Sequence, residues 1–368
     1  MSASFLIAFL FIPVLAAVFA FRATASPAVT IPRLLKTCLI LAGLVIVVSG
    51  MSLLAGASDI SAIPALKALI FRGREGLSSL DEAERTILFS IRLPRIAFAC
   101  VVGASLSMAG AVFQALLRNP LAEPYILGIS GGAAVGAILG ILMGASLIPL
   151  GVPALAFLGA LLSVAVVFGI ARTGRKLASN TLLLAGVILN AFFSSVIMLL
   201  LSSTTLNSDI FSTHRILFWL MGDLGVAEGR DILFSAILFL GSFGVIYACA
   251  RALNLMVLGE ETAMQLGVDV ERTKKVLFLA ASLATAGAVA SSGSIGFVGL
   301  IIPHLMRMLL GSDHRLLIPA SVLFGAAFMV TADTIARTVT APAELPVGVI
   351  TALCGAPYFI YLLRKKAV

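Results

Sequence analysis

Apolar residues run along this chain in long blocks separated by short charged clusters, without the strict alternation of strands. A helix crossing a hydrocarbon layer needs about 20 mostly apolar residues. Uncharged stretches cover 1–21, 37–58, 96–117, 124–171, 177–208, 232–250, 276–306, 316–332 and 345–363. The 124–171 stretch is long enough to cross twice, and Ile148-Pro149-Leu150-Gly151-Val152-Pro153 is where it turns. The 276–306 stretch is too long for one upright span and short for two. Its centre, Ser291-Ser292-Gly293-Ser294-Ile295-Gly296, predicts a helix, a break and a shorter returning helix. The pattern yields ten core spans and one additional span at the N-terminus.

Composition excludes other classes. Apolar residues make up 60% and charged residues 11%, where soluble domains carry roughly 25% charged. Mean hydropathy is +1.14. Neither a water-soluble fold of 368 residues nor a disordered chain fits, so the expected class is an all-α polytopic membrane protein. The net charge of +8 lies in short clusters between spans, which suits membrane orientation better than a nucleic-acid face. With Arg364-Lys365-Lys366 placed in the cytoplasm, most basic residues fall inside, and most acidic residues fall outside. Residues 1–21 then form an extra span with its N-terminus outside. A signal peptide and a misassigned start are the alternatives; Ala23-Thr24-Ala25 resembles a cleavage site, but cleavage would leave Arg33 and Lys36 outside. The organisation expected is 1–36 as hydrophobic segment and linker and 37–368 as the membrane domain.

Gly128, Gly132, Gly136, Gly140 and Gly144 recur every fourth residue, so they share a helical ridge where a neighbouring helix packs closely. Ser107–Val112 (SMAGAV) faintly echoes Ala284–Val289 (ATAGAV) with opposite direction across the membrane, as in inverted repeats. Cys38, Cys100, Cys249 and Cys354 show no CxxC pairing and are expected as buried structural thiols. The absence of any Gly-Lys dipeptide excludes a Walker A loop, and His214, His304 and His314 have no metal-ligand spacing. No catalytic group, metal or cofactor is expected. Of the carboxylates, Asp333 and Glu344 come nearest to a span, both at its outer end. A gradient-driven carrier would keep one nearer the midplane. Energy is expected from elsewhere, and the cytoplasmic segment 254–270 (NLMVLGEETAMQLGVDV) is the candidate contact. Glu260 and Glu261 begin a short helix there, and Gly267 ends it. Its carboxylates suit docking to a soluble partner better than lying on anionic lipid.

Several motifs resemble those of FecCD-like permeases, the membrane subunits of ATP-binding-cassette importers for ferric siderophores, haem and vitamin B12. They are RLPR (92–95), RNPLAEPYILGISGGA (118–133), LLLAGV (182–187), LGEETAMQLG (258–267), GFVGLIIPHLMR (296–307), SDHRLLIP (312–319) and ELPVGVITALCGAPYFIYLL (344–363). The resemblance implies a BtuC-like ten-helix subunit in the inner membrane. It also implies a homodimer, two cytoplasmic ATP-binding subunits and an extracytoplasmic substrate-binding protein. By the same resemblance Glu260, Glu261, Ala263 and Gly267 contact the ATPase. Arg92, Arg95 and Arg337 meet carboxylates of the binding protein, with Arg92 and Arg95 expected at a helix start. Ser179, Asn180 and Thr181 match the inner gate, although an N-cap explains Ser179 and Asn180 equally well. An iron chelate is preferred over cobalamin as cargo. An ion-gradient-driven carrier is the alternative function.

Overall fold

The computed structural model describes residues 29–55, 81–145, 148, 150–173, 176–206, 210–225 and 228–366. Thr30 caps α1 (Ile31–Leu54), accepting from the Arg33 N–H, with Pro32 in the first turn. That start lies before the apolar run, so part of the expected linker is helical. The helix α2 (Glu82–Leu116) is 35 residues long, about 52 Å at 1.5 Å per residue. A capping box joins Asp81 and Glu84 at its start. It passes through a π-turn at Ile87–Arg92 before Pro94, whose missing N–H breaks the α ladder.

A 3₁₀ turn (Pro124–Leu127) leads into α3 (Ile129–Leu142) and α4 (Gly151–Ala171). A two-residue ladder, β1 (Arg172–Thr173) with β2 (Lys176–Leu177), reverses the chain into α5 (Ser179–Leu206). Then follow α6 (Ile210–Met221), α7 (Gly229–Ala248), α8 (Ala250–Leu258) and α9 (Glu260–Gln265). The chain ends with α10 (Val270–Ser292), α11 (Val298–Leu310), α12 (His314–Thr338) and α13 (Val347–Lys366). Among the described residues, seven helices are long and apolar enough to cross a membrane, and α3, α11 and α13 are shorter apolar helices. The two account for the ten core spans. The expected span at 1–21 lies outside the described residues.

Helices α2, α10 and α12 are buried along most of their length, whereas α1, α4, α5 and α7 turn most of their surface outward. Small residues permit the tight interior. A Cβ on Gly103 would strike the Gly325 backbone of α12, and one on Gly110 would strike Gly299 of α11. Between α3 and α4, Cβ atoms on Gly132 and Gly136 would hit the carbonyls of Gly159 and Leu155, and Gly140 packs on Val152 and Leu155. The outer members of that ridge do different work. Gly128 (φ +79°) and Gly144 (φ +72°) supply left-handed backbone at either end of α3.

The break after α10 falls where the serine and glycine cluster predicts it. It is stitched to neighbouring chain: the Ser294 N–H donates to the Trp219 carbonyl (3.2 Å), and the Asp223 N–H to the Ser292 carbonyl (2.8 Å). All four cysteines are free. None is fully buried, contrary to expectation: Cys38, Cys100 and Cys249 are half-buried and Cys354 is exposed.

Candidate functional site

Segment 254–270 is an elbow of two helices. Residues 254–258 continue α8, Gly259 (φ +147°) breaks the chain, and α9 starts at Glu260. Acidic Glu260 and Glu261 occupy the first turn, where the helix dipole favours them. The C-terminus closes in a Schellman arrangement: Gly267 (φ +85°) donates to the Met264 carbonyl and Val268 to the Ala263 carbonyl. The sequence-predicted site residues divide here. Glu261 and Gly267 are exposed, Ala263 is fully buried, and Glu260 is turned inward. The Lys274 Nζ, itself buried, donates to Glu260 Oε2 at 2.7 Å, and the Arg118 guanidinium lies 3.7 Å from Oε1. Arg118 also donates to the Met256 carbonyl of α8 at 2.9 Å. Exposed Leu258, Met264 and Leu266 complete an outward surface of mixed apolar and acidic character.

Asn254 ties the same elbow to α12. Its Nδ2 donates to Asp313 Oδ1 (2.7 Å), and its Oδ1 accepts from the His314 N–H (2.8 Å). Asp313 caps α12 through the Arg315 N–H and pairs with the Arg315 side chain at 2.6 Å. Partial burial raises its carboxyl pKa, but the hydrogen bonds from Arg315 and Asn254 outweigh that and hold it at about 2.

At the start of α5, the first helical bond runs from the Leu182 N–H to the Ala178 carbonyl, so Ala178 occupies the cap position. Ser179 instead donates to the Leu116 carbonyl at the end of α2 (3.1 Å). Asn180 is exposed and Thr181 half-buried.

The arginines at the other end are not where a docking surface requires them. Arg92, Arg95 and Arg337 are 3%, 9% and 6% exposed. Arg95 pairs with Asp333 (2.9 Å) and Glu344 (2.7 Å), and Arg337 shares Asp333 (3.0 Å) and donates to Ser52 (2.9 Å). Arg92 donates to the Leu53 carbonyl (2.7 Å). The group bolts α1, α2 and α12 together beneath the half-exposed Glu344. The expected helix start at Arg92 and Arg95 is corrected as well, because α2 begins at Glu82. The Asp81–Glu84 capping box was the sequence signal for it.

Glu123 is the carboxylate that the sequence pattern did not reveal. It is 8% exposed and accepts the Phe297 N–H at 3.1 Å. Gly299, two residues on, packs on Gly110 of α2, about 9 Å back from that helix's C-terminus at 1.5 Å per residue. This buried carboxylate is spent on the N-terminus of α11.

The sequence matches the FecCD transport family over residues 43–365. The chain belongs to that family. Among FecCD relatives, the cobalamin import system permease protein BtuC of Halobacterium salinarum is 44% identical over 290 residues, 78% of this chain and 76% of its own. The hemin transport system permease protein HmuU of Yersinia pestis is 43% identical over 295 residues, 78% of this chain and 86% of its own. An inward-facing metal-chelate type ABC transporter superposes with a TM-score of 0.76 at 34% identity, covering 90% of this chain and 99% of that one. This FecCD permease is accordingly a multi-pass membrane subunit of an ABC importer of the BtuC type, and ATP hydrolysis belongs to a separate subunit.

Proposed function

We propose that this permease moves an iron chelate, a ferric siderophore or haem, across the inner membrane, with cobalamin as the other candidate cargo. It works as a homodimer with two cytoplasmic ATPase subunits and an extracytoplasmic binding protein. The observation that supports this reading most is the elbow. A six-residue helix and its C-cap present Glu261, Met264 and Leu266 outward, while Glu260 is anchored by Lys274 and Arg118. Such a helix receives a push from outside and hands it to the body without bending. Ser179, Asn180 and Thr181, at the same end of the body, are the proposed inner gate. Arg92, Arg95 and Arg337 would meet a binding protein only by giving up their internal partners. In this reading they brace the outer rim, and Arg95 holds Glu344 in place. Relatives named for cobalamin and for hemin match about equally well, so the preference for an iron chelate rests on its prevalence as cargo in the family.

The test is reconstitution of the permease with its ATPase subunits and binding protein in vesicles. ATP-dependent, vanadate-sensitive uptake is expected, with ferric siderophore, haem and cobalamin compared in parallel. Uptake by the purified permease alone, without nucleotide, would sink the reading in favour of a gradient-driven carrier.

A further inference from the structure

Helix α11 contains Pro303, which has no N–H to give the Gly299 carbonyl one turn earlier. That carbonyl is buried against α2, where an unmade hydrogen bond is expensive. The missing donor comes from α2 itself. Gln114, 4% exposed, lies one turn beyond Gly110, and its Nε2 donates to the carbonyls of Gly299 and Leu300, both at 3.2 Å. Its Oε1 accepts from Arg307 of the same α11 at 3.0 Å. Only this amide orientation satisfies both sides, since the flipped one would set NH₂ against a guanidinium and oxygen against carbonyls. Nine residues on, Glu123 accepts the Phe297 N–H at the N-terminus of α11. Between Gln114 and Glu123 sits Arg118, whose side chain holds the α8–α9 elbow.

We propose that Gln114 and Glu123 are positioning residues through which the 114–123 corner of the chain carries motion of α9 to α11. This rests on the importer reading above. The elbow is gripped by Arg118, and α11 is gripped on either side of that residue. A displacement of one therefore moves the other as a unit, and α11 passes it to α12 and α13, on which it packs. Contact alone does not establish coupling, so the test separates holding the fold from transmitting movement.

Gln114→Leu alone removes the donor and is expected to lower the unfolding temperature. Gln114→Leu with Pro303→Ala restores a backbone N–H to Gly299 from within α11, so thermal stability returns while the tie to α2 stays cut. Spin labels at exposed Met308 on α11 and Leu158 on α4 report movement of α11 in the complex with its ATPase subunits. The wild type is expected to change its label-to-label distance on trapping with ATP and vanadate. The double variant is expected to hydrolyse ATP without that change. Arg118→Gln, whose side chain is half exposed, breaks the same route at its other end without touching the core and should also lose it. A full distance change in either variant, or none in an ATP-hydrolysing wild type, overturns the proposal. A wild-type permease that assembles with no ATPase subunit overturns the importer reading instead.

Discussion

Asp333, 1% exposed, takes a hydrogen bond from each of two buried arginines, and removing it would leave Arg337 with no carboxylate and Arg95 with only the half-exposed Glu344. Breaking a buried pair in this way costs about 3–5 kcal/mol. Asp333→Ala is therefore expected to lower the unfolding midpoint in detergent far more than Glu344→Ala. The half-exposed Glu344 arm is worth up to about 1 kcal/mol, and equal losses would refute this ranking. Asp313 gives a pH dependence. Its folded pKa of about 2 lies below the unfolded value of about 3.9. The stabilisation is then complete above about pH 4 and is lost as pH falls toward 2. The difference in unfolding midpoint between wild type and Asp313→Asn should be constant from pH 7 to 5 and shrink at pH 3. At this scale the sequence was least legible. Arg92, Arg95 and Arg337 carry charge in any reading, and partners remote in the chain, Leu53 for Arg92, Asp333 for Arg95 and Ser52 for Arg337, decide that they point inward. Glu123 was invisible for the same reason, since what buries it is the break at Phe297.

Elements were far more legible. Apolar runs marked nearly every helix, because a chain in hydrocarbon must close its own backbone hydrogen bonds and has little choice but helix. The failures have physical causes. Helix α2 starts early because its first turns are polar, and α6, which carries His214 and Arg215, is too short and too charged to register as a span. The glycine ridge was readable as packing, but not which members face a helix. Gly136→Ala should destabilise by about 1–3 kcal/mol, since its Cβ would meet the Leu155 carbonyl. Gly43→Ala, with open space around it in α1, should stabilise by about 0.5–1 kcal/mol. Thermal unfolding of the two variants checks the opposite signs.

For the whole molecule, the basic clusters assign a direction across the membrane. Single cysteines introduced at Glu84 and Gln265 in a cysteine-free background are expected to react with an impermeant maleimide from opposite sides of the membrane. Glu84 should react in intact cells and Gln265 only after permeabilisation, and the reverse pattern would invert the orientation. Residues 258–267 and the break at 293–297 were readable because glycine punctuates both, whereas the long-range ties between them were not. Those bounding glycines have a further consequence. The plug between Gly259 and Gly267 is held at each end by a residue with no side chain to clash, and inside by one lysine and one arginine. Transplanting those few residues from a paralogous subunit should therefore leave the host folded and retune which motor it accepts, an exchange scored by which ATPase co-purifies with the chimera.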